Sequence, residues 1–359
     1  MTLSRAVLVA GLVGSSGCVE FDYLLHAAEG QLDLACRARS VESSVDNDDL
    51  DPSTRALLAD VPKMKAFAEQ NGLQPTESYE SFVALDRPSV VWTVSAAPPL
   101  SLEPKRWTFP IAGEVPYLGW FDKHLAIQQA RWLESEGYDV DVRGAAAYST
   151  LGWFSDPVLS SMIENAPDAL AELANTILHE SVHATVYIPG QSSFNEGLAT
   201  YLGDELTVRF LDSRFGENSA ELKEWQDGER RGKKVHKRFH EAFVELDALY
   251  KSDLEDAVKL EKKALVLADV RADVGFRRPV TNATLTNFST YHSSRDDFAR
   301  LYEACGRDIP RVMTATKTLV AEDFRERNQE DLSTVIELLS GRCANAATTE
   351  SPRPESPSP

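Results

Sequence analysis

Basic residues are scarce in this 359-residue chain: 37 Lys and Arg face 56 Asp and Glu, leaving a net charge of −19. A surface with that deficit repels runs of phosphate, so nucleic acid is set aside as a partner, and an anionic lipid surface has nothing general to hold. Long apolar runs are scarce too. After the first eighteen residues no stretch is long enough to cross a bilayer, which confines any membrane attachment to the N-terminus. Cysteine occurs four times, and Cys18, Cys36, Cys305 and Cys343 lack the paired spacing of a zinc-binding module. No internal repeat stands out.

What is present is ordinary globular material, 43% hydrophobic and 26% charged, in a length that suits one large catalytic unit or two packed lobes. Arg5, the apolar run Ala6 to Val13 and the small residues after it read as an export signal. The run ends in Ser15-Ser16-Gly17-Cys18, which resembles a bacterial lipoprotein processing site. Residues 1–17 are then a signal peptide, and a lipid on Cys18 is the expected membrane attachment in the cell envelope. Plain secretion and a retained N-terminal segment are the alternatives. In an oxidising compartment Cys305 and Cys343 are the expected disulfide pair, with buried free thiols as the other reading.

Periodicity lays out a mixed fold. Helical spacing runs over Tyr23–Arg39 and Thr54–Asn71, with an acidic loop between them at Val41–Pro52. Phe82–Val94 is the first strand, Trp107–Gly119 is strand and turn, Phe121–Gly137 is helical, and a strand starts near Tyr138. Asn165-Ala166-Pro167-Asp168 opens a helix that runs to about Tyr187, where Pro189-Gly190 stops it. Phe194–Phe215, Ser219–Tyr250 and Ser252–Asp273 continue as helices, and residues 344–359, rich in Pro and Ser, are expected to be disordered. The expected division is an N-terminal α+β part over 18–190 and a mainly helical lobe over 191–343.

Histidine occurs only seven times, yet the helix after Asp168 carries His179-Glu180-Ser181-Val182-His183. Imidazoles one turn apart point the same way and grip one metal ion, with zinc the default for such a site. Glu180 lies about 100° around the helix from His179, so it addresses a water at the ion rather than the ion itself, which is the position of a general base. A catalytic zinc needs a third protein ligand, and Glu196 in Asn195-Glu196-Gly197-Leu198-Ala199 supplies it once the chain turns back at Pro189-Gly190. Ser193 and Glu196 also have capping-box spacing, which would spend Glu196 on a helix start; Asp204 or Glu205 is then the fallback ligand. His236 and His240 repeat the one-turn spacing among Lys233, Lys234, Lys237 and Arg238, where repulsion disfavours a cation, so they read as a solvated face.

HExxH followed by Asn-Glu-Gly resembles the gluzincin metallopeptidases. A second resemblance, to a bacterial family described as predicted aminopeptidases, rests on Tyr23–Leu34, Phe109–Gly113 with Val115-Pro116-Tyr117, Arg143–Pro157, Leu178–Tyr187 and Phe194-Asn195-Glu196. These resemblances imply an α+β fold with a zincin-like core of mixed sheet and active-site helix, one zinc ion, and hydrolysis of peptides. An oxyanion donor is also needed; Tyr291 and Tyr148 are the leading candidates and His292 the third. The small-residue stretch Ala145–Tyr148 suits a strand beside the substrate, or a plain core strand. A zincin-fold interaction module without catalysis is the alternative function, against which the intact Glu180 speaks.

Overall fold

The computed structural model describes residues 18–109, 113–148, 155–163, 166–289 and 295–349. The first helix, α1 (Cys18–Arg37), is followed by a two-residue strand, β1 (Arg39–Ser40). The loop expected at Val41–Pro52 contains a short helix, α2 (Val41–Val45), because the Ser40 hydroxyl accepts the Ser43 N–H at 3.1 Å and caps it. Helix α3 (Pro52–Gln70) starts where Asp51 accepts the Thr54 N–H at 2.9 Å and Pro52 takes the first turn.

The strand expected over Phe82–Val94 divides into β2 (Ser81–Val83) and β3 (Val91–Ala97), since Asp86-Arg87-Pro88 interrupts the β-branched run. After β3 come β4 (Trp107–Phe109), β5 (Gly113–Val115) and β6 (Tyr117–Trp120), then α4 (Lys123–Ser135), β7 (Asp139–Ala145) and β8 (Val158–Leu159). They form three small sheets, ordered β1-β2-β8, β6-β3-β7 and β4-β5. In the second sheet all pairings are antiparallel, with Thr93 opposite Gly119 and Arg143, and Ser95 opposite Tyr117 and Asp141.

Alternation makes that sheet two-faced. Trp92, Val94, Ala96, Leu118 and Trp120 pack on Ala126, Ala130 and Leu133 of α4. The opposite face carries Thr93, Ser95, Tyr117, Asp141 and Arg143, the polar half of the alternation.

The remainder is helical: α5 (Ala169–Thr185), α6 (Ser192–Phe215), α7 (Ala220–Tyr250), α8 (Asp256–Val274), α9 (Asn282–Ser289), α10 (Arg295–Ala304), α11 (Ile309–Thr316) and α12 (Ser333–Thr349). The chain is α+β and mostly helical. Among the described residues, no helix is long and apolar enough to cross a membrane. Helix α12 runs to Thr349, past the expected start of the tail at Ala344, because alanines there favour helix. The expected Cys305–Cys343 disulfide is formed and fastens the residue after α10 to α12. The main core draws on both sides of residue 190, from Leu34 and Leu58 through Ile177 and Phe194 to Leu339.

Candidate metal centre

Helix α5 begins at Ala169 with Asp168 at its cap position, where no side-chain cap bond forms; the expected cap, Asn165, lies outside the described residues. Leu173, Ile177, Leu178 and Val182 are fully buried on its inner side, which fixes the rotation of the helix. The same rotation sets His179 and His183 one above the other, with their Nε2 atoms 3.1 Å apart.

The chain leaves α5 through Ile188, Pro189 and Gly190, which takes φ +78° at the turn. Asn195 locks this turn: its Oδ1 accepts the Ile188 N–H and its Nδ2 donates to the Ile188 carbonyl, both at 2.9 Å. A second brace comes from the 326–329 loop. Gln191 donates to the Glu326 carbonyl at 2.7 Å, the Asn328 N–H donates to the Gly190 carbonyl at 2.7 Å, and Asn328 Oδ1 accepts the Ser193 N–H at 3.1 Å. Helix α6 starts at Ser192, so Ser193 lies inside it and bonds to Asn328 instead of forming a capping box with Glu196.

Glu196 turns to the imidazoles. Its Oε2 is 3.6 Å from His179 Nε2 and its Oε1 is 3.6 Å from His183 Nε2. One donor atom from each of the three residues falls within 4.8 Å of the others. Ligands about 2.0–2.1 Å from a tetrahedral ion stand about 3.3–3.4 Å apart, so these separations fit one ion with little movement. The donor set is two nitrogens and one carboxylate, and the group could hold a metal ion.

Electrostatics within the trio are strong. Burial pushes the Glu196 carboxyl up, but the hydrogen bonds and charges of His179 and His183 outweigh it and hold the pKa at about 2. Burial disfavours a charged His183, yet Glu196 and then Glu180 overcome this and raise its pKa. The fallback acids lie outside the trio. Asp204 accepts from Asn175 at 3.1 Å and pairs with Arg295 at 2.5 Å. Burial raises the Glu205 carboxyl, with Arg209 the strongest opposing charge.

Glu180 is half-buried and stays out of the trio. Two tyrosines that sequence reasoning did not single out feel its charge. Tyr79 is buried in the left-handed region at φ 66°, rare for an aromatic residue, and is held there by its N–H donating to the Asp156 carbonyl at 2.6 Å. Burial and then Glu180 push its hydroxyl well above the ordinary range. Tyr117 keeps 41% of its surface exposed, yet the protein around its hydroxyl withholds water from the phenolate and raises its pKa. Glu196, Tyr23 and Glu180 add to that rise while Arg143 opposes it. The one sequence signal for Tyr117 was its place in the Val115-Pro116-Tyr117 stretch.

Tyr148 is half-buried with its ring 5.3 Å from that of Phe121. Burial, then Tyr23, Asp156 and Tyr117, push its pKa up to about 12. Tyr291 and His292 lie outside the described residues, as do residues 1–17. Of the second histidine pair, His240 is exposed but His236 is half-buried with its ring 5.2 Å from that of Phe288, so only part of that face is solvated.

Two imidazoles one turn apart, a carboxylate brought back by the next helix and a second carboxylate held beside them define a mostly helical α+β protein with a candidate one-ion centre. The chain belongs to the family described as Putative aminopeptidase, whose model matches residues 22–330. No curated protein and no solved structure matches it.

Proposed function

We propose that the protein is a zinc-dependent peptidase of the aminopeptidase kind, with His179, His183 and Glu196 holding one ion and Glu180 as general base. The observation that carries this reading is the convergence of the three donor atoms within 4.8 Å, with Glu180 on the same helix and outside the ligand set. A bound zinc ion would supply Lewis acidity, lowering the pKa of water and polarising the scissile carbonyl. Glu180 accepts the proton of the attacking water and returns it to the leaving amine. Tyr148 and Tyr291 remain the proposed hydroxyl donors to the oxyanion, and the electrostatic reach of Tyr117 to both carboxylates supports adding it.

The zincin-like reading of the core takes α5 as the active-site helix, α6 as the carrier of the third ligand and β7 as the strand beside the substrate, in place of the strand expected over Ala145–Tyr148, of which only Ala145 is strand. It is supported by the position of β7 at the edge of its sheet, where an extended peptide can add by strand pairing. In this reading residues 18–190 and 191–343 form the two walls of the cleft. Export with a lipid on Cys18 is part of the proposal, and the Cys305–Cys343 disulfide supports an oxidising compartment.

The test combines elemental analysis with hydrolysis of aminoacyl-anilides and a mixed peptide library, for the wild type and Glu180→Gln. The expected result is about one zinc per chain in both, cleavage by the wild type and none by the variant. Failure of both proteins to hold metal after reconstitution refutes the centre. Metal without cleavage refutes the peptidase assignment and favours the interaction module.

A further inference from the structure

The polar face of the β6-β3-β7 sheet is unevenly used. Toward one end α9 and its approach cover it: Asn287 donates to Ser95 Oγ at 2.6 Å, the Asn282 N–H donates to Asp139 at 3.0 Å, and Arg278 pairs with Asp141. Both acids of β7 are neutralised there, since Lys263 also reaches Asp139 at 2.6 Å. Two residues further along the strand the pattern changes sign. Arg143 is exposed on the same face, and among the described residues its guanidinium makes no ion pair or hydrogen bond.

Room beside it is built into the register. The residue across β3 from Arg143 is Gly119, with only the short Thr93 between them, and Tyr117 stands next on β6. Nothing bulky on these three strands separates the Arg143 side chain from that of Tyr117. In a chain of net charge −19, an exposed cation on an edge strand, without a partner among the described residues, favours an anion. Guanidinium geometry matches a carboxylate, which it binds with two parallel hydrogen bonds.

We propose that Arg143 receives a substrate carboxylate on the leaving-group side of the scissile bond, so that the enzyme prefers short or acidic peptides. The inference rests on the peptidase reading above. Its side follows from charge, because the free α-amine of an aminopeptidase substrate is repelled by a guanidinium and only the other half of the peptide can bring an anion to it. Tyr117 links the two places, since its hydroxyl feels the charges of Glu196 and Glu180 as well as that of Arg143. The carboxylate then belongs to a residue after the cleaved bond. It comes from a chain terminus or from an Asp or Glu side chain.

The experiment compares Leu-Gly-Gly with its C-terminal amide, and Leu-Glu-Gly-amide with Leu-Gln-Gly-amide, on wild type, Arg143→Met and Arg143→Lys. For the wild type we expect kcat/KM at least about tenfold higher for the carboxylate member of one pair or both, seen mainly in KM. The first pair reports a terminal carboxylate and the second a side chain. Arg143→Met should bring the ratios to within about twofold and Arg143→Lys should restore part of them. Equal turnover of both members of both pairs by the wild type overturns the inference and leaves the peptidase reading standing, as does a preference that survives in Arg143→Met. Calorimetric binding of the same peptides to Glu180→Gln separates the remaining case. Tighter binding of the carboxylate members that is lost in Glu180→Gln/Arg143→Met, with no hydrolysis by the wild type, upholds the Arg143 site and rejects the peptidase reading.

Discussion

Gly203 lies against the backbone of His179: a Cβ on this glycine would meet His179 Cα and Cβ at 3.3 Å. It stands two turns after Glu196 on α6, on the face that packs against α5, so the absence of a side chain there sets how closely the third ligand approaches the first two. Gly203→Ala gains about 0.5–1 kcal/mol of helix propensity but pushes on a helix backbone that cannot swing aside. The expected outcome is a small change in thermal midpoint with zinc affinity weakened by about tenfold, the cost of a shift of a few tenths of an ångström at the ligands. Chelator competition measures it. Affinity unchanged in Gly203→Ala would show that the contact does not set the site.

Asn195 holds both backbone polar groups of Ile188, which is buried at 5% exposure. Asn195→Ala leaves a buried N–H and a buried carbonyl without their partner, at a cost of about 2–4 kcal/mol. The loss should reach the metal as well, because the residue after Asn195 is Glu196. Asn195→Asp keeps the acceptor for the Ile188 N–H but sets a carboxylate against the Ile188 carbonyl, so it should rescue little. Urea unfolding of the metal-free protein and zinc affinity are both expected to fall. A stability loss with zinc affinity intact would reduce Asn195 to a structural part.

The metal helix was legible in the sequence because its signals are local: the spacing of Leu173, Ile177 and Leu178 and the four-residue step between His179 and His183. Glu196 was legible for a similar reason, since Pro189-Gly190 forces a return within a few residues. Tyr117 was not, because its approach to Glu180 and Glu196 depends on strands β3, β6 and β7 joining, and pairing partners are non-local. Nor was Tyr79, whose left-handed backbone depends on the distant Asp156 carbonyl. The boundary errors are equally physical: Ser40 capped a turn inside an apparently solvated loop, and the pause around Pro88 cut one expected strand in two. The terminal disulfide was the expected pair, but the contents of the loop it closes were not visible as site residues: Glu326 and Asn328 brace the α5–α6 turn.

That loop sets the next expectation. Cys305 and Cys343 are 38 residues apart in sequence, and a closure of that length restricts the unfolded chain by about 3–4 kcal/mol. Reduction, or Cys343→Ser, should lower the urea midpoint accordingly. Zinc binding should persist far below that midpoint, because the hydrogen bonds of Gln191 and Asn328 do not involve the sulfurs. Identical unfolding curves with and without reductant would mean that the bridge does not form in solution.

Protons and metal compete for His183. In the metal-free protein its pKa is raised, burial being outweighed by Glu196 and Glu180, while Glu196 is held at about 2. The stabilising contribution of Glu196 is therefore present above the ordinary carboxyl value and lost as pH falls toward about 2. That of His183 is complete below the ordinary imidazole value of about 6.5 and is lost as pH rises through its raised value. Between these limits the pair is an imidazolium facing a carboxylate, and a metal ion must displace the imidazolium proton. From about 6.5 up to its raised value His183 carries a proton in the metal-free protein, so metal binding there displaces that proton. Apparent zinc affinity should fall about tenfold for each unit of pH decrease across that window and level off above it. Calorimetry in buffers of different ionisation enthalpy should count about one proton released per ion in the window. A flat affinity profile with no proton released would show that His183 is neutral before the metal arrives, and that the ion pair with Glu196 is not the resting state of the site.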